Sequence, residues 1–101
     1  MTKADLAKII STETGIVRKD VATVLDSLFY AIKESLKSKQ HIEIRHFGTF
    51  NLKVRRARLG RNPKTNDKVN VPERVVPTFK FSKEFKTEIL KNVQPDQLNE
   101  K

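Results

Sequence analysis

RLGRNPKTNDKV, residues 58–69, sets how the rest of the chain reads. Asn62 and Asn66 tolerate left-handed backbone and Pro63 fixes its own φ, so Arg61 to Asn66 is good turn chemistry. Before it, Phe50, Leu52 and Val54 alternate with Asn51, Lys53 and Arg55. After it, Val69 and Val71 alternate with Asn70. A period of two on both sides of a turn is the pattern of a β-hairpin. Between Lys53 and Arg74 the apolar residues are scattered (Val54, Ala57, Leu59, Val69, Val71), and every Phe of the chain lies outside this segment. The hairpin therefore has no core of its own and projects from a body that has one.

Its charge is one-sided. From Ile44 to Asn66 stand Arg45, Lys53, Arg55, Arg56, Arg58, Arg61 and Lys64, without a carboxylate. These cations repel one another, and an anion that neutralises them would order the hairpin. Arg outnumbers Lys, and guanidinium grips phosphate in a bidentate fork and enters narrow grooves at small desolvation cost. Leu52 to Pro63 spans roughly 35 Å if extended at ~3.3 Å per residue. That is close to one ~34 Å turn of duplex, so a twisted ribbon of this length can follow a groove. Pro63, by its surroundings alone, reads as a turn former; a rigid ring with no N–H to satisfy also suits a wedge between base pairs.

Outward from the hairpin, His41 to Arg45 alternates as a short strand, and Val75, Pro77, Phe79 and Phe81 alternate with Val76, Thr78 and Lys80 in another. Pro72 and Pro77 belong at a bulge or an edge, since neither donates to a ladder. Upstream, Thr2 and Asp5 have capping-box spacing, with Asp in place of the usual Glu. A first helix follows, stopping near Gly15. A second runs from about Lys19 to Ser38, with Val21, Leu25, Leu28, Phe29, Ile32 and Leu36 on one face. Ser82 caps a closing helix from Lys83 to about Val93, and residues 94–101 read as a polar tail, frayed after Gln94-Pro95 ends that helix. Residues 1–93 are expected to form one domain with its arm at about 53–74.

Lys and Arg number 21 against 12 Asp and Glu, a net charge of +9. A small chain that basic expects a polyanion: nucleic acid first, an anionic membrane surface second. Hydrophobic residues are 37%, a low share that leaves part of the core to be completed by a partner. The start, MTKADLAKII, is too short and charged for a signal peptide, so the chain is expected to stay in the compartment where it is made, the cytoplasm. No Cys is present, which excludes thiolate chemistry. No Ser/His/Asp arrangement or phosphate-cradling glycine loop appears, so catalytic residues are not expected. His41 and Glu43 share a strand face without a third ligand, so neither a metal nor any other cofactor is expected.

Phe47-Gly48-Thr49-Phe50, Gly60-Arg61-Asn62-Pro63-Lys64-Thr65, and Phe79 followed by Lys83 and Lys86 resemble the bacterial histone-like DNA-bending proteins, HU and integration host factor. The resemblance runs over roughly residues 1 to 90. It implies an α+β fold: two N-terminal helices, a three-stranded antiparallel sheet extended into a β-ribbon arm, and a short C-terminal helix, in an intertwined dimer whose arms wrap double-stranded DNA. Pro63 matches the proline that intercalates and kinks the duplex, a wedge mechanism that is the family's own and is carried over here. Arg58, Arg61 and Asn62 would flank it in the minor groove, with Lys53, Arg55, Arg56 and Lys64 along the arm. Lys3, Arg45, Lys83 and Lys86 would meet DNA from the body, and Phe47, Phe50 and Phe79 match the aromatic dimer core.

The chain departs from that pattern at His46, Asn66 and Ser82, where glycine is usual, and at Val17, where Ser often caps the second helix. An HU-like homodimer with modest sequence preference is the leading expectation. Ile42-Glu43-Ile44-Arg45 and the run Lys64 to Val69 are closer to a subunit of integration host factor, in which Glu43 and Arg45 would help read DNA. A basic RNA-binding or ribosomal protein is the rival of another kind, disfavoured because the arm displays no aromatic for stacking on bases.

Overall fold

The computed structural model describes residues 1–99, and the chain divides into two compact units, Met1–Ser38 and Lys39–Lys101. In the first unit, α1 spans Lys3–Thr14 and α2 spans Arg18–Lys37. Asp serves the capping box as well as Glu: the Thr2 N–H donates to the Asp5 carboxylate at 2.8 Å, and the Asp5 N–H donates to the Thr2 hydroxyl at 3.4 Å. The Thr2 backbone N–H, and then its hydroxyl, hold the Asp5 carboxyl below the usual carboxylate range. Gly15 ends α1 in the left-handed conformation, φ 78°, with its N–H on the Ser11 carbonyl at 2.9 Å.

The start of α2 has no side-chain cap at Val17. Its backbone does the work instead, as the Val17 carbonyl accepts the N–H groups of Asp20 and Val21 at 3.0 and 3.1 Å. Asp20 in the first turn and Lys37 in the last suit the helix dipole. Among the described residues, Ala7 (2% exposed) and Val21 (4%) are the only buried hydrophobic side chains. Leu25, Ile32 and Leu36 of the apolar stripe are half-buried, while Leu28 and Phe29 remain exposed.

In the second unit, β1 (Ile42–Ile44), β2 (Gly48–Arg55) and β5 (Arg74–Phe81) form an antiparallel sheet in the order β1-β2-β5. The segments β3 (Arg58–Arg61) and β4 (Lys68–Val71) form a separate two-stranded ribbon. Pro77 lies on the edge strand β5 opposite Leu52, and Pro72 lies in the gap between β4 and β5, the two settings a missing N–H allows. The arm is thus not one continuous ladder; it is interrupted at Arg56–Ala57 on one side and Pro72–Glu73 on the other.

The β1–β2 turn closes through the Phe47 N–H on the Ile44 carbonyl at 3.0 Å, with His46 at φ 66°. Ser82 caps α3 (Lys83–Asn92), its hydroxyl taking the Phe85 N–H at 3.2 Å. The polar tail, which the sequence reads as frayed, carries a short helix, α4, over Pro95–Asn99. Pro95 suits a first helical position, and the Gln97 side chain takes the Gln94 N–H at 2.7 Å. Glu100 and Lys101 lie outside the described residues.

Candidate nucleic-acid interface

The arm tip is built by short polar residues around Pro63. The Asn62 N–H donates to the Asp67 carbonyl at 2.9 Å and the Asn66 N–H to the Asn62 carbonyl at 2.6 Å, closing a six-residue loop. The Asn62 side-chain oxygen takes the Lys64 N–H at 2.9 Å, an Asx turn that spans Pro63. Asn66 adopts φ 62°, as its replacement of glycine requires. Pro63 is exposed at the apex, between exposed Arg61 and Lys64, while Asn62 is half-buried in the turn it organises.

The strand register sharpens the charge argument. Arg55 pairs opposite Arg74, and Arg61 opposite Lys68. Like charges directly across a ladder are destabilising. Among the described residues, the ion pairs are Lys3–Asp26 and Lys37–Glu34, neither on the arm. Lys53, Arg55, Arg56, Arg58, Arg61 and Lys64 are all exposed, and among the described residues none of them is paired with a carboxylate. Lys68 and Arg74 belong to this set, although the sequence does not single them out. They lie past the hairpin tip, and only the register places them opposite Arg61 and Arg55. Leu59 is 67% exposed near the tip, an apolar surface available to a groove floor.

On the body, Lys83 and Lys86 stand exposed in the first turn of α3, where the helix dipole adds positive potential and Glu84 offsets part of it. Arg45 lines a groove shared with Lys80 and Ser82. Lys3 is not free in the same way: its ammonium is paired with Asp26 of α2. A phosphate would have to compete with that carboxylate, in an exposed pair of the kind that exchanges at little cost.

Phe47, Phe50 and Phe79 come together, with Phe79 at the centre: its ring centroid is 5.5 Å from Phe47 and 4.5 Å from Phe50. Phe81 and Phe85 extend the cluster, at 4.7 Å from Phe79 and 5.2 Å from Phe81 respectively. In the sequence those two read as separate strand and helix residues, with nothing to join them to one aromatic group. Despite this packing, Phe47 stays 44% exposed and so does Phe81. An aromatic cluster left that open is an apolar surface of the kind that marks an interaction site.

These features suit the binding of a polyanion. Among the described residues, no three His, Asp or Glu side chains gather as a metal site, and no helix is long and apolar enough to cross a membrane.

Residues 1–90 match the family profile described as "Bacterial DNA-binding protein". The chain is 44% identical over 90 residues to the integration host factor subunit beta of Marinobacter nauticus, covering 88% of this chain and 92% of that one. It is 36% identical over 91 residues to the DNA-binding protein HU of Clostridium pasteurianum, covering 90% and 100%. Among solved structures, an HU protein of Anabaena cocrystallised with DNA superposes with a TM-score of 0.82 at 32% identity, covering 88% of this chain and 97% of that one.

Proposed function

The chain belongs to the bacterial DNA-binding protein family of HU and integration host factor, and from that premise we propose how it works. It is an architectural protein of double-stranded DNA, not an enzyme, and it acts as a dimer. We read residues 1–93 as one DNA-binding domain whose arm lies along the minor groove. Lys53, Arg55, Arg56, Arg58, Arg61 and Lys64 neutralise phosphates there, joined by Lys68 and Arg74. Asn62 shapes the tip, and Pro63 enters between base pairs and kinks the duplex. Lys83, Lys86, Arg45 and, once released from Asp26, Lys3 hold the DNA that the kink folds back. Phe47, Phe50 and Phe79, with Phe81, meet their counterparts in the second protomer. Such a protein works in the cytoplasm, on the nucleoid.

The observation that carries this reading is the arm itself: paired like charges across the ladder, no carboxylate partner among the described residues, and an exposed proline at the apex. Binding of the purified chain to linear, nicked and sequence-selected DNA duplexes and to duplex RNA, with its mass in solution, tests it. A dimer that prefers nicked DNA over linear DNA and over RNA is expected. Equal affinity for duplex RNA contradicts it.

HU-like behaviour, with a homodimer and modest sequence preference, is the reading we favour. A second is supported by the 44% identity to an integration host factor beta subunit and by Glu43 and Arg45 lining one groove. In that case Glu43 and Arg45 read the duplex beside the arm root. A sequence-selected duplex bound well ahead of unselected DNA would decide for it.

A further inference from the structure

His46 sits in the tight β1–β2 turn with φ 66°, a conformation in which a β-carbon is costlier than in glycine. The turn cannot relax easily. The Phe47 N–H closes it on the Ile44 carbonyl at 3.0 Å, and the Ser82 N–H ties the Phe47 carbonyl to the start of α3 at 2.8 Å. Strain of this kind persists where the side chain has a use. His46 lines a groove of about 370 Å³ together with Arg45, Lys80 and Ser82, and with Glu43 and Glu84.

We infer that His46 is a DNA-contacting residue: its imidazole donates an N–H to a backbone phosphate oxygen of the duplex, in the groove it shares with Arg45 and Lys80. This rests on the DNA-binding reading above. An imidazole offers an N–H donor whether neutral or protonated, so the interaction needs no particular charge state. Glu43 and Glu84 disfavour a free anion in the groove, so a phosphate is held there only as part of a duplex that the arm has already captured. Backbone strain is thereby traded for a hydrogen bond that glycine at this position cannot make.

The trade gives His46→Gly two effects of opposite sign. Relief of the left-handed turn raises Tm by a few degrees, while removal of the donor weakens duplex binding about tenfold, the size of one charge-assisted hydrogen bond. His46→Lys restores a donor at the same strained backbone, so it recovers affinity without the gain in Tm. A His46→Gly variant with unchanged duplex affinity overturns the inference, as does one with lower Tm, or a His46→Lys variant that binds no better than His46→Gly. Failure of the parent chain to bind duplex at all refutes the DNA-binding reading together with the inference, and is distinguished from these by the parent titration.

Discussion

Arg61 and Gly48 are fixed by different physics, one by charge and one by space. Arg61 stands exposed beside the tip, opposite Lys68. Arg61→Ala should weaken duplex binding by roughly 1 kcal/mol if it makes one charge-assisted hydrogen bond, measurable by titration at fixed salt; an unchanged affinity removes it from the interface. Gly48 is buried against β5. A β-carbon there would meet the Phe79 ring and come within 2.6 Å of the Lys80 carbonyl, which is backbone and cannot swing away. Gly48→Ala should cost about 1–3 kcal/mol as an overpacking defect, read as a lower denaturation midpoint. No change would mean that the sheet yields there. Much at this scale is legible in the sequence: Asn66 does take the left-handed conformation that its replacement of glycine demands. Val17 shows where legibility ends. A missing cap side chain leaves the start of α2 open, and the backbone bonds that start it carry no sequence signature.

At the scale of elements, the arm is held by a ladder whose facing cations oppose it. Replacing Arg55 and Arg56 together by Ala should flatten the dependence of log K on log salt by about 0.9 for each phosphate no longer neutralised. An unchanged slope would show that these side chains do not meet phosphates. Helix α1 supplies a pH dependence of known sign. Asp5 has its carboxyl lowered by the Thr2 N–H and hydroxyl, so its contribution is full above the ordinary carboxylate pKa and fades as pH falls through the lowered folded value. Asp5→Asn should remove that part of the acid sensitivity, seen by following helicity against pH; identical acid curves would mean that the cap does not hold α1. The elements are largely readable because period and caps agree. The arm's interruption is not, since Arg56, Ala57 and Glu73 carry no breaker signal and Pro72 is compatible with a bulge as well as a gap. Nor is α4, where Pro95 reads equally as the end of α3 or as the first position of a new helix.

At the scale of the whole molecule, a chain that buries only Ala7 and Val21 among its described hydrophobic side chains, and leaves Phe47 and Phe81 half open, needs a second copy or a close relative. Sedimentation at micromolar concentration should find a dimer; a folded monomer there would refute the role given to the aromatic cluster. The dimer in turn carries two arms, and in the proposed mechanism their charge wraps the duplex while Pro63 kinks it. These contributions separate, because Pro63→Ala keeps every cation. The direct measurement is fluorescence transfer between the two ends of a labelled duplex at saturating protein, parent against Pro63→Ala. The parent should draw the ends together, and the variant should occupy the duplex with a similar salt slope but leave the ends farther apart. Ends drawn equally close by both proteins would contradict the mechanism, and Pro63 would then be a turn former alone.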